Sequence, residues 1–165
     1  KRGLYLLAEP YRKLPVDEMF IASVLQKPSY ISLEKALEYH SLIPEAVTVY
    51  TSVTTKRQGK FITEAGVFDY RHIKKSLFWG YGPITINKQT SFMASSEKAL
   101  LDYFYLKGLK ISEGYLDEMR IQNIEKLDLK KLIEYAEKFE SPGILKAAKI
   151  VAAYTNSYKQ KEKTL

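Results

Sequence analysis

Residues 95–102 read Ser-Ser-Glu-Lys-Ala-Leu-Leu-Asp, and a near copy, Ser-Leu-Glu-Lys-Ala-Leu, lies at 32–37. The stretch holds serine, lysine and two carboxylates, so it is either a reactive site or a helix start. Capping explains the spacing in both copies. With Ser95 at the N-cap, its hydroxyl accepts a backbone N–H of the first turn, and Glu97 meets the positive end of the helix dipole. Ser32 and Glu34 repeat the arrangement. Nucleophilic chemistry would need a base held against the serine. In a helix Lys98 instead has Asp102 as its i+4 neighbour, which predicts a local ion pair. The S-x-x-K spacing of Ser95 and Lys98 matches one motif of penicillin-binding enzymes, but its S-D-N and K-T-G partners are missing from the sequence. Between Ala99 and Leu106 only Asp102 is polar. A helix apolar nearly all round is central and buried, so Asp102 requires a hydrogen-bonded or basic partner.

Outward from this helix, the chain divides into helices, then strands, then helices. Toward the N-terminus, 3–7 (GLYLL) reads as a strand and 9–15 as a proline-bearing turn. Residues 16–27 carry Phe20 with Val24 and Ile21 with Leu25 at helical spacing, with Asp17 as cap and Pro28 as terminator. A second helix covers 32–42. The alternating, β-branched run 47–54 predicts a half-buried strand. A polar turn, 55–60, follows, then a hairpin from 60–64 and 67–73 through Ala65-Gly66, and strands in 77–87 and 91–94. Short turns between strands favour antiparallel pairing. After Ser95 the chain reads as helical: 96–108, 112–119, 128–139 with Asp128 as cap, and a final helix opened by Pro142 with Ile144, Ala148, Val151, Tyr154 and Tyr158 on one face. The lysine-rich end, 159–165, reads as a frayed tail. The expected class is α+β, a central, mainly antiparallel sheet flanked by N-terminal helices and a C-terminal helical segment.

Composition bounds the chemistry. The chain has 165 residues, enough for one cored domain, and no cysteine, which excludes disulfides, thiol nucleophiles and thiolate metal sites. This fits a reducing cytosol, and a cytoplasmic location is expected. No apolar run approaches a membrane span and no signal peptide is recognisable. The first residue is Lys, so the chain is expected to be a piece of a longer protein. Net charge is +7, which favours acidic or polyanionic partners. Basic residues cluster at Lys56, Arg57 and Lys60, and again at Arg71, Lys74 and Lys75. If the sheet brings these sets together, they form a patch able to contact nucleic-acid phosphates or an acidic partner. The competing reading is ordinary solvated turns. His40 and His72 have no carboxylate at metal spacing, and no phosphate-loop motif occurs. No catalytic residue, metal or cofactor is assigned, and a non-enzyme is expected.

Three stretches together resemble one family. Residues 29–57 (SYISLEKALEYHSLIPEAVTVYTSVTTKR), 66–81 (GVFDYRHIKKSLFWGY) and 94–106 (ASSEKALLDYFYL) are similar to AbiEi-type antitoxins, transcriptional regulators of a viral defence system. The family commonly has proline where Ser96 stands, the N1 position that suits proline. The resemblance implies a domain layout: 1–8 as the end of the wing of an N-terminal winged helix-turn-helix, 9–158 as the C-terminal antitoxin domain, and 159–165 as tail. It also implies promoter DNA as a partner of the full-length protein, a nucleotidyltransferase-type toxin as functional partner, and repression of its own operon. Two alternatives stay open: a degenerate nuclease core near Asp69, and a protein-interaction module for an acidic partner.

Overall fold

The computed structural model describes residues 3–164, with Glu162 described by its backbone alone. A six-stranded sheet forms the centre. Its strands are β1 (Ser29–Ile31), β2 (Val49–Thr54), β3 (Gly59–Thr63), β4 (Gly66–His72), β5 (Tyr81–Ile86) and β6 (Gln89–Ala94), in spatial order β3-β4-β2-β1-β6-β5. Three pairs, β1/β2, β3/β4 and β5/β6, are antiparallel. Two, β2/β4 and β1/β6, are parallel. The sheet is therefore mixed and mainly antiparallel, within an α+β fold.

Helix α1 (Glu18–Leu25) begins where Asp17 accepts the N–H groups of Met19 and Phe20, as the sequence predicts. It covers one sheet face, and the buried Tyr70 hydroxyl reaches across to donate to its Ala22 carbonyl. Helix α2 (Leu33–Tyr39) lies on the opposite face. In the register, Tyr70 stands beside Ser52 while the neighbouring Thr51 bonds to α2, and successive side chains of a strand point to opposite faces. Helix α3 (Ser96–Lys107) packs behind α2. Then come α4 (Glu113–Glu118), α5 (Leu129–Lys138) and α6 (Pro142–Thr164), of which α5 and α6 pack on α3 and α4 packs on α6. Gly108, at φ +62°, ends α3 in the left-handed conformation that glycine adopts without steric cost.

Three expectations are corrected. Residues 3–7 form no strand: 3–8 run as irregular chain, Leu4, Tyr5, Leu6 and Leu7 are exposed, and no described strand lies beside them to complete a ladder. Strand β2 is not half-buried. From Thr51 to Thr54 it is buried on both faces, because it sits between β4 and β1 with helices above and below. The segment 159–164 is not frayed but continues α6. Its Lys, Gln and Glu residues are good helix formers, and they extend a helix already anchored by the buried Ile144, Ala148 and Val151.

Candidate functional site

In α3, Ser95 caps as expected: its Oγ accepts the N–H of Lys98, the third helical residue, at 3.3 Å. The copy in α2 works differently. Ser32 occupies the N-cap position but its side chain makes no cap bond. Its hydroxyl instead donates to Asp102 Oδ2 at 2.9 Å. The equivalent N–H, that of Lys35, is satisfied from the sheet by Thr51 Oγ1 at 3.0 Å. Thr51 in turn donates to the Ser32 carbonyl at 2.7 Å. A local cap has been replaced by a tertiary one.

The carboxylates differ too. Glu34 lies in the first turn of α2, as expected, and pairs with Lys107 at the end of α3, 2.6 Å away. Glu97 lies in the first turn of α3 and is buried, and it also serves the start of α5. It accepts the Asp128 N–H at 3.0 Å and pairs with Lys131 at 3.0 Å. Burial raises the Glu97 carboxyl, but the backbone N–H groups of Asp128 and Glu97 and the Lys131 ammonium outweigh it and hold the carboxyl below its usual range.

Lys98 and Asp102 form the predicted i,i+4 ion pair, and both side chains are fully buried. The surroundings complete it. Lys98 Nζ donates to Asp102 Oδ1, to the Tyr30 hydroxyl at 3.1 Å and to the Leu77 carbonyl at 3.0 Å. These are the three donors of an ammonium, all used. Tyr30 donates onward to Asp102 Oδ2 at 2.8 Å. The rings of Trp79, Phe139 and Tyr30 surround the cation, with centroids 4.7, 4.9 and 5.6 Å from Nζ. Burial pushes the Asp102 carboxyl up and the Lys98 ammonium down, and each charge opposes the shift of the other. The two hydroxyls on Asp102 Oδ2 and the ring faces around Nζ favour the charged pair, since hydroxyls donate more strongly to a carboxylate than to a carboxyl and the rings attract a cation but not an amine. The arrangement offers no opening for a reactant and holds Ser95 in a cap bond.

His40 Nε2 lies 2.8 Å from the Ala94 carbonyl and His72 Nδ1 lies 2.9 Å from the Lys56 carbonyl, so each ring ties two elements together. Among the described residues no group of three His, Asp or Glu side chains is placed to hold a metal ion.

The two basic sets meet only in part. Parallel pairing of β2 and β4 brings their C-terminal ends side by side, with Thr54 opposite His72 and the Ile73 N–H bonded to the Thr54 carbonyl. Lys56 and Arg57, just after β2, therefore share one end of the sheet with Lys74 and Lys75, just after β4. All four are exposed. Lys60 and Arg71 are set apart from them. Lys60 stands opposite Asp69, and Arg71 is two residues further along the same face of β4. These three side chains line a cleft of about 360 Å³ whose other wall carries Glu34 and Lys107. Sequence patterns give no sign that Lys107 joins this group, because only the packing of α3 on α2 brings it there.

What the fold and its interior define is an α+β domain organised around a buried ion pair, with a basic end and a charged cleft on its surface. No protein-family model matches the chain, and no curated protein matches it significantly. No helix among the described residues is long and apolar enough to cross a membrane.

Proposed function

We propose that this chain is the non-catalytic antitoxin domain of an AbiEi-like transcriptional repressor, one that counteracts a nucleotidyltransferase-type toxin. One observation carries the reading. The three stretches that bear the resemblance converge on a single network: Lys98 and Asp102 from the third, Tyr30 and Ser32 from the first, and Leu77 and Trp79 from the second. Residues scattered over 72 positions and joined this way are what a fold signature requires. The Ser-x-x-Lys spacing serves that scaffold, which supports a regulatory domain over an acyl-transfer enzyme. In the full-length protein, an N-terminal winged domain reads operator DNA and represses the operon. Lys56, Arg57, Lys60, Arg71, Lys74 and Lys75 add phosphate contacts from this domain.

The test is co-expression of the full-length protein with the nucleotidyltransferase-like product of the adjacent gene. Restored growth is expected, together with repression of a reporter driven by the operon's own promoter. Growth arrest that persists despite folded, soluble protein overturns the antitoxin assignment. Rescue that requires turnover of a substrate by this chain overturns its non-catalytic character.

A further inference from the structure

The cleft beside β4 holds two of the six cations given above to phosphate contacts, Lys60 and Arg71, together with a carboxylate, Asp69, that the antitoxin reading does not use. Arg71 and Asp69 are half-buried, and among the described residues neither side chain has a hydrogen-bond or ion-pair partner; nor does the exposed Lys60. Lys107, across the cleft, is already paired with Glu34. The floor is apolar, formed by Leu33, Val47 and Val49. The volume, about 360 Å³, lies at the lower end of the range of small-molecule sites. The cleft therefore combines a small, open volume, two uncommitted cations and one uncommitted carboxylate beside them.

We propose that this cleft binds a small phosphate monoester bearing hydroxyl groups, with Arg71 and Lys60 on the phosphate and Asp69 accepting from a hydroxyl. The guanidinium fork matches two phosphate oxygens, and the ammonium of Lys60 adds a third donor. A bare inorganic anion is poorly matched, because Asp69 repels it. A sugar phosphate or nucleotide answers both charges, since its phosphate meets the cations while a ribose hydroxyl donates to the carboxylate. Leu33, Val47 and Val49 accept the apolar edge of the sugar. No aromatic side chain lines the cleft, so recognition centres on the phosphorylated sugar, with no stacking partner for a base. The inference gives Lys60 and Arg71 a more specific ligand than the phosphate contacts proposed above, and it does not need the antitoxin activity, so growth rescue and ester binding can fail separately.

Titration calorimetry on the full chain, with amide shifts to locate binding, tests it against ribose phosphate, adenosine monophosphate, inorganic phosphate and an end-phosphorylated single-stranded oligonucleotide. Ribose phosphate is expected to bind, with shifts at 48–51 and 69–71. Binding of adenosine monophosphate alone would assign the ester to nucleotides. Binding of the oligonucleotide alone would assign it to a nucleic-acid end. Either supports the phosphomonoester chemistry. Arg71→Gln is expected to weaken binding by about tenfold or more. Lys60→Gln, an exposed change that leaves the fold intact, is expected to weaken it less, and Lys75→Ala not at all. Asp69→Asn separates the two halves of the site: inorganic phosphate should bind more tightly and the ester more weakly. The proposal is overturned if no ester binds at about 10 mM, if Arg71→Gln and Lys60→Gln both leave binding unchanged, or if Asp69→Asn strengthens ester and inorganic phosphate alike.

Discussion

The hydroxyl of Tyr30 donates to Asp102 at 2.8 Å, joining the shortest strand of the sheet to the most buried helix. Asp102 thereby receives Tyr30, Ser32 and Lys98 together. A buried carboxylate is tolerated when its lone pairs are met, and this one ties β1, α2 and α3 into a single unit.

Removing one member of the pair leaves the other charge buried. Asp102→Ala is expected to cost about 3–5 kcal/mol in urea unfolding. Replacing both with apolar residues, Lys98→Met with Asp102→Leu, should cost less than the sum of the single changes, because neither charge is then stranded. Additive losses would show that the pair is not coupled.

The two serine motifs should respond differently despite their likeness. Ser95→Ala removes a cap and should cost about 1 kcal/mol. Ser32→Ala removes a bond to a buried carboxylate and should cost about 1.5–3 kcal/mol. The counterpart of Ser95 in α2 is Thr51, so Thr51→Val should expose the Lys35 amide to faster hydrogen exchange while Ser32→Ala does not.

Gly80 sits at φ +77°, and a Cβ there would lie 2.8 Å from Lys98 Cγ. Gly108 also has positive φ, at +62°, but a Cβ there meets nothing within 4 Å. Gly108→Ala should therefore cost about 1–2 kcal/mol from backbone strain alone. Gly80→Ala should cost more, because it adds a clash with the stem of the buried lysine. Equal melting temperatures for the two variants would contradict this.

Glu97 sets a pH dependence. Its folded-state carboxyl titrates below its unfolded value. The unfolded chain then binds the proton more readily, so stability falls as the pH drops. The Glu97 contribution is complete above the unfolded carboxyl range, near pH 4.5, and is lost as the pH falls through the folded value. Glu97→Gln should lower stability at neutral pH and flatten the acid limb of a stability-against-pH curve. An unchanged slope would show that the pH dependence arises elsewhere.

Signals that act within a few residues are legible in the amino-acid order alone. Asp17, Ser95 and Asp128 cap helices where the sequence places them. The hairpin forms, although its turn is Glu64-Ala65, one residue earlier than expected, with Thr63 opposite Gly66 at the start of β4. The Lys98–Asp102 pair is legible too, because four-residue spacing on a helix fixes both partners. The network around it is not. Tyr30, Leu77 and Phe139 lie 68, 21 and 41 residues from Lys98, and no local period relates them.

The sequence by itself determined the α+β class, the run of helices after Ser95 and the interior role of the helix from Ser96, because caps, periodicity and turn residues act through neighbouring backbone; it held no sign of the three-residue strand β1. Only the tertiary structure decided the parallel pairing of β2 with β4, the transfer of the α2 cap from Ser32 to Thr51, and the meeting of Lys60, Asp69 and Arg71 with Lys107. Those depend on which surfaces pack together, and packing is set by the whole core, with no local period to announce it.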